Sequence, residues 1–133
     1  MESDLKKKVE EEMSVNYEDA LERNFDTAKL FIGITSTGKV DIKVKNELIN
    51  DDIVALYLIG KQYAKVAGKA ETDEVSNKEI MDELGMPLGS AVSSLKRLRD
   101  SGKAMQLKEG VHKIKPNTIE PILIAIKNKL SKK

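Results

Sequence analysis

The chain contains no cysteine, no tryptophan and a single histidine, His112. Without thiols there is no disulfide framework and no thiolate metal site. One histidine with no second histidine or cysteine provides no constellation for zinc binding or for a nucleophilic triad. Aromatic residues make up only 4% of the chain, and Tyr57 and Tyr63 are expected as core and rim residues, not as stacking platforms. No apolar run approaches the ~20 residues that a membrane helix needs. The first residues also lack the apolar core of a signal peptide. These absences lead to the expectation of a cytoplasmic, non-membrane protein that is not an enzyme and carries no cofactor and no metal.

Charge, by contrast, is abundant: 34% of the 133 residues are Asp, Glu, Lys or Arg, yet the net charge is only +1. Its distribution is uneven. Residues 1–85 hold 12 basic and 19 acidic side chains, a balance of −7, whereas residues 86–133 hold 11 and 3, a balance of +8. The positive field therefore belongs to the second part of the chain. The carboxylates are numerous but scattered, and Glu10, Glu11 and Glu12 read as a solubilising face, not as an acid/base pair.

The most informative stretch is Ser76 to Pro116. Ser76 and Glu79 have the S-x-x-E spacing of a capping box, in which each side chain reaches a free backbone NH at a helix start. Ile80, Met81 and Leu84 follow at helical spacing, and Gly85 offers the left-handed residue that closes a helix. Pro87 suits the first turn of a second helix, expected from about Pro87 to Ser101. Leu88, Ala91, Val92, Leu95 and Leu98 form its expected buried stripe. Ser90, Ser93, Ser94, Arg97 and Ser101 fall opposite, with Lys96 flanking them. Gly102 is a second stop. Two short strands, Lys103 to Lys108 and Val111 to Lys115, are joined by Glu109-Gly110 as a hairpin that Pro116 ends.

The residues NKEIMDELGMPLGSAVSSLKRLRDSG and EGVHKIKP together resemble the winged helix-turn-helix domain of prokaryotic, and by composition archaeal, transcription regulators. The resemblance covers about a third of the chain. It implies an α+β fold with a three-helix core and a β-wing. It also implies a second helix placed in the major groove of double-stranded DNA and a wing on the backbone or in the minor groove, and the expected regulator is a homodimer on a two-fold operator. Carried onto this sequence, Ser90, Ser93, Ser94 and Arg97 would face bases, Lys96, Lys108, Lys113 and Lys115 would contact phosphates, and His112 would sit on the wing as a polar contact or a plain surface residue. Independently of the resemblance, a helix face of small hydroxyls and an arginine can approach base edges closely. The competing expectation is a winged module that binds protein and never touches nucleic acid.

The rest of the chain divides into an N-terminal extension, residues 1–45, and a winged domain with a C-terminal helix, residues 46–133. Leu5, Val9 and Met13 mark a narrow stripe on a marginal first helix, either a solvated terminus or a dimer contact. Tyr17, Ala20, Leu21, Phe25 and Ala28 mark a stronger amphipathic helix. Lys29 to Thr35 and Val40 to Lys45 read as a hairpin around Ser36-Thr37-Gly38-Lys39. TSTGK lacks the spacing of a phosphate loop, and no helix follows it. Asn50 or Asp51 is expected to cap a long buried helix from about Asp52 to Ala67. Asn117 or Thr118 is expected to start a last helix with Ile119, Ile122, Leu123, Ile126 and Leu130 inward.

Overall fold

One helix organises the packing: α4, Asn50–Val66, whose residues from Ile53 to Gly60 are buried on every side. In a computed structural model, which describes residues 2–9 and 17–132, the chain is an α+β protein. The helices are α1 (Glu2–Lys8), α2 (Tyr17–Arg23), α3 (Phe25–Ala28), α4, α5 (Asn77–Leu84), α6 (Leu88–Asp100) and α7 (Ile119–Ser131). Strands β1 (Ile32–Ile34) and β2 (Val40–Ile42) pair antiparallel. Strands β3 (Val75–Ser76), β4 (Ala104–Lys108) and β5 (Val111–Ile114) form an antiparallel sheet in the order β3-β5-β4. The expected Glu10–Glu12 face and Met13 lie outside the described residues. Leu5 on α1 and Val9 just after it are exposed.

The punctuation read from the sequence has clear local causes. The Ser76 hydroxyl accepts the Glu79 NH at 3.0 Å and caps α5, while Gly85 closes it at φ 65°. Only half of the expected capping box forms. The Glu79 carboxylate instead accepts from the buried Tyr57 hydroxyl at 2.5 Å and pairs with Lys61 at 3.1 Å. A partner from α4 thus outcompetes the local backbone NH. The expected cap of α4 also differs: Asn50 is already helical, and Ile49, with no side-chain bond to give, occupies the cap position.

The expected single helix from Tyr17 to Ala28 is broken at Asn24, whose side chain donates to the Ala20 carbonyl at 2.7 Å. The β1–β2 turn closes through Gly38 NH to Thr35 O at 2.9 Å, so TSTGK is a hairpin turn. This hairpin rests on α4 at Gly60. A Cβ there would stand 2.4 Å from Val40 Cγ1, closer than two carbons can approach, so the glycine is a packing requirement. On the far side α7 presents the buried Ile119, Ile122, Leu123 and Ile126. Residues from the N-terminal segment, α4, the sheet and α7 join one continuous hydrophobic cluster. The boundary expected at residue 45 is therefore crossed by a shared core.

Tyr17 and Tyr63 bolt α2 in place. The Tyr17 hydroxyl donates to the Ile114 carbonyl on β5, and the Tyr63 hydroxyl on α4 donates to the Leu21 carbonyl, both at 2.6 Å. Burial pushes both phenols up to about 12, with Asp73 adding to the shift at Tyr17.

Candidate nucleic-acid interface

α6 follows α5 after a three-residue turn, Gly85 to Pro87, and leads directly into the β4–β5 ribbon. Its buried residues are Ala91, Ser94, Leu95 and Leu98. The buried arc is turned relative to the expected stripe. Leu88 and Val92 are 49% and 41% exposed, whereas Ser94 is fully buried. The cause is the close approach of α6 to the start of α4. There Ser94, being small, allows the crossing, and its hydroxyl supports the Asp51 carboxylate. Ser94 therefore cannot reach a base, and the outward face comprises Gly89, Val92, Ser93, Lys96, Arg97 and Asp100, with Ser90 at its margin.

The charges on this face have partners within the chain. Arg97 clasps Asp51 through Nε at 2.8 Å and Nη2 at 2.9 Å. This hydrogen bond, ahead of the burial that opposes it, holds the Asp51 carboxyl below the usual range and raises Arg97. Lys96 pairs with Asp100 one turn on at 2.8 Å, which lowers the Asp100 carboxyl. Each cation is nonetheless more than half exposed, at 58% for Arg97 and 65% for Lys96. Exposed ion pairs are weak and exchange readily for another anion.

The ribbon contributes fewer of the expected contacts. Lys108 is exposed and Lys115 half-buried. His112 points inward. Its Nε2 lies 2.9 Å from Asn77 Oδ1, its Nδ1 lies 3.5 Å from Arg99 Nη1, and it is 2% exposed. With Arg99 as a donor to Nδ1, the neutral ring carries its proton on Nε2 and donates to Asn77. Burial first, and then the Arg99 charge, lower its pKa. Lys113 is engaged as well. It pairs with the buried Asp73 at 3.1 Å and lies 4.5 Å over the Tyr17 ring. Burial disfavours the Asp73 carboxylate, but Lys113 and Lys65 outweigh it and its pKa falls. His112 and Lys113 thus hold the ribbon onto the body: Asn77 on α5 and Arg99 on α6 engage His112, and Asp73 in the loop after α4 engages Lys113.

Of the remaining expected contact residues, Ser93, Lys96, Arg97 and Lys108 are exposed, and Ser90 and Lys115 are half-buried. Val92, expected in the buried stripe, is exposed with Gly89 one helical turn from Lys96 and Ser93. The Asp51 partner of Arg97 has no signal in the spacing. Among the described residues, no group of three or more His, Asp or Glu side chains could hold a metal ion. No helix among them is long and apolar enough to cross a membrane. No protein-family model, no curated protein and no solved structure matches the chain.

Proposed function

We propose that residues 46–133 form a winged helix-turn-helix domain that binds double-stranded DNA as a transcription regulator of the cytoplasm. The order α4, β3, α5, α6, β4, β5 with sheet order β3-β5-β4 supports the winged reading. The observation that carries the functional step is the open face of α6. Gly89, Ser93 and Lys96 stand clear of the body between a tight turn and a basic ribbon. Small residues let the helix sink close to base edges. Exposed Leu88 and Val92 fit thymine methyl groups in the major groove. Lys96, Arg97, Lys108 and Lys115 then reach phosphates, with Lys96 and Arg97 exchanging their carboxylate partners for phosphate oxygens. Two copies on a two-fold operator complete the reading, each α6 entering the groove one duplex turn from the other.

The test is the salt dependence of binding to a random-sequence duplex. About four phosphate contacts per copy give a log–log slope of roughly −3 to −4. The quadruple variant Lys96→Ala, Arg97→Ala, Lys108→Ala, Lys115→Ala should flatten it. Absence of binding even at low salt would favour a second reading, a protein-binding winged module. Two observations favour that reading: Leu88 and Val92 form an apolar patch on the same face, and Lys96 and Arg97 are already neutralised by Asp100 and Asp51.

A further inference from the structure

At the C-terminal end of α4, opposite the first turn that Arg97 clasps, residues of α2, α3 and β1 join α4 in walling a cleft of about 700 Å³. Leu21, Phe25, Ile34, Tyr63 and Val66 supply its apolar surface. A lobe of about 200 Å³ reaches Ile32, and Phe25, Ile34 and Tyr63 line both spaces. The size is that of a site for one compact organic molecule. Phe25 is 53% and Val66 56% exposed. Large apolar side chains thus stand open to water here, at a cost that an apolar occupant removes. The Phe25 and Tyr63 rings lie edge to face at 6.3 Å, a geometry that a third aromatic ring can extend.

The walls hold no counter-ion reserved for a ligand. The Asp26 carboxylate pairs with the Lys29 ammonium at 3.2 Å, and Lys29 itself lines the lobe, 5.6 Å from the Phe25 ring centroid. Glu18 has a partner of its own. Glu22 is exposed, and an ion pair made in solvent is weak. The Tyr63 hydroxyl is committed to the Leu21 carbonyl at 2.6 Å, so this residue offers the cleft its ring and not a donor. A charged ligand entering here gives up water for apolar walls without compensation, whereas an uncharged aromatic body gains by the same exchange.

We infer that this cleft binds an uncharged aromatic molecule, its ring held between Phe25, Ile34 and Val66. The inference does not depend on duplex binding. The experiment is calorimetric titration of the full chain with 2-naphthalenemethanol, 2-naphthylmethylammonium and 2-naphthoate, with methyl NMR shifts to locate the site. The alcohol should bind tighter than either ion, by about threefold or more, and should shift the Ile34 and Val66 methyl signals. Phe25→Leu keeps an apolar side chain but removes the ring, and should weaken the alcohol about threefold. Val66→Lys puts an ammonium on the wall and should weaken it as well. Both positions are exposed, and a far-UV spectrum matching the parent shows that each variant folds. The inference is overturned if either ion binds as tightly as the alcohol, or if the alcohol does not bind at millimolar concentration. Unchanged affinity in Phe25→Leu, or shifts away from Ile34 and Val66, would also overturn it. So would a dimer that Phe25→Asp dissociates, since the cleft would then be a seam between copies.

Discussion

Arg97 and Asp51 lie 46 positions apart in the chain and meet as a two-point clasp between α6 and the first turn of α4. The clasp uses the Nε–Nη2 edge of the guanidinium. Arg97 is therefore a fastener of the helix pair while its side chain stays 58% exposed.

Asp51→Asn should separate these roles. Removing the charge loosens the clasp and removes a carboxylate from the approach of a phosphate. Duplex affinity should rise about two- to fivefold at low salt and converge on the parent at high salt. Fluorescence anisotropy at several salt concentrations reads this directly. Because the folded Asp51 carboxyl is depressed, its contribution to stability is present above the usual carboxylate value of about 3.9. That contribution is lost as pH falls through the lower folded value.

The turned face of α6 predicts a contrast between neighbours. Leu95→Ala empties a fully buried site and should cost about 2–5 kcal/mol. Val92→Ala trims a side chain that is 41% exposed and should cost far less, about 1 kcal/mol at most. Urea unfolding of the pair decides whether the helix is oriented as described. Equal losses would return Val92 to the core.

Gly60→Ala should destabilise the chain by about 1–3 kcal/mol, because its methyl group must displace Val40 from the face of α4. Val40→Ala in the same background should recover part of that loss. A double-mutant cycle on thermal unfolding measures the coupling between them. Additive losses would mean that the hairpin does not rest on this glycine.

His112 makes stability depend on mild acid. Its folded pKa lies below the ordinary value of about 6.5, so the neutral ring is favoured in the fold. The unfolded chain binds the proton more readily. Stability should therefore be complete above about pH 6.5 and decline as pH falls from there toward the lower folded value. Protonation also turns Nδ1 from an acceptor for Arg99 into a second donor facing a cation. As the only histidine, it gives one imidazole NMR titration to follow. In His112→Gln the component of the urea midpoint between pH 7.5 and 5 that belongs to this group should vanish.

How much of this was legible depended on the range of the interaction. Ser76, Gly85, Gly102 and Gly110 announced the ends and turns of α5, α6 and the ribbon because capping and left-handed closure involve only a few consecutive residues. The apolar spacing of α7 named its inward face correctly, since a wide and regular stripe admits one orientation. On α6 the stripe was bordered by serines and by two further aliphatic residues, so periodicity alone did not fix its rotation. Contact with α4 did, drawing in Ser94 and leaving Leu88 and Val92 outside.

The sequence by itself determined the turns around α5, α6 and the ribbon, the helical character of α4 to α7 and how charge divides between its two parts. Those properties rest on local backbone preferences and on composition. The tertiary structure alone decided that Arg97 answers to Asp51, that His112 lies between Asn77 and Arg99, and that Lys113 is held by Asp73. Each is a pairing of charged or polar groups brought together from distant positions. Such a pairing depends on the few ångströms by which packed elements approach, a quantity that no spacing along the chain encodes.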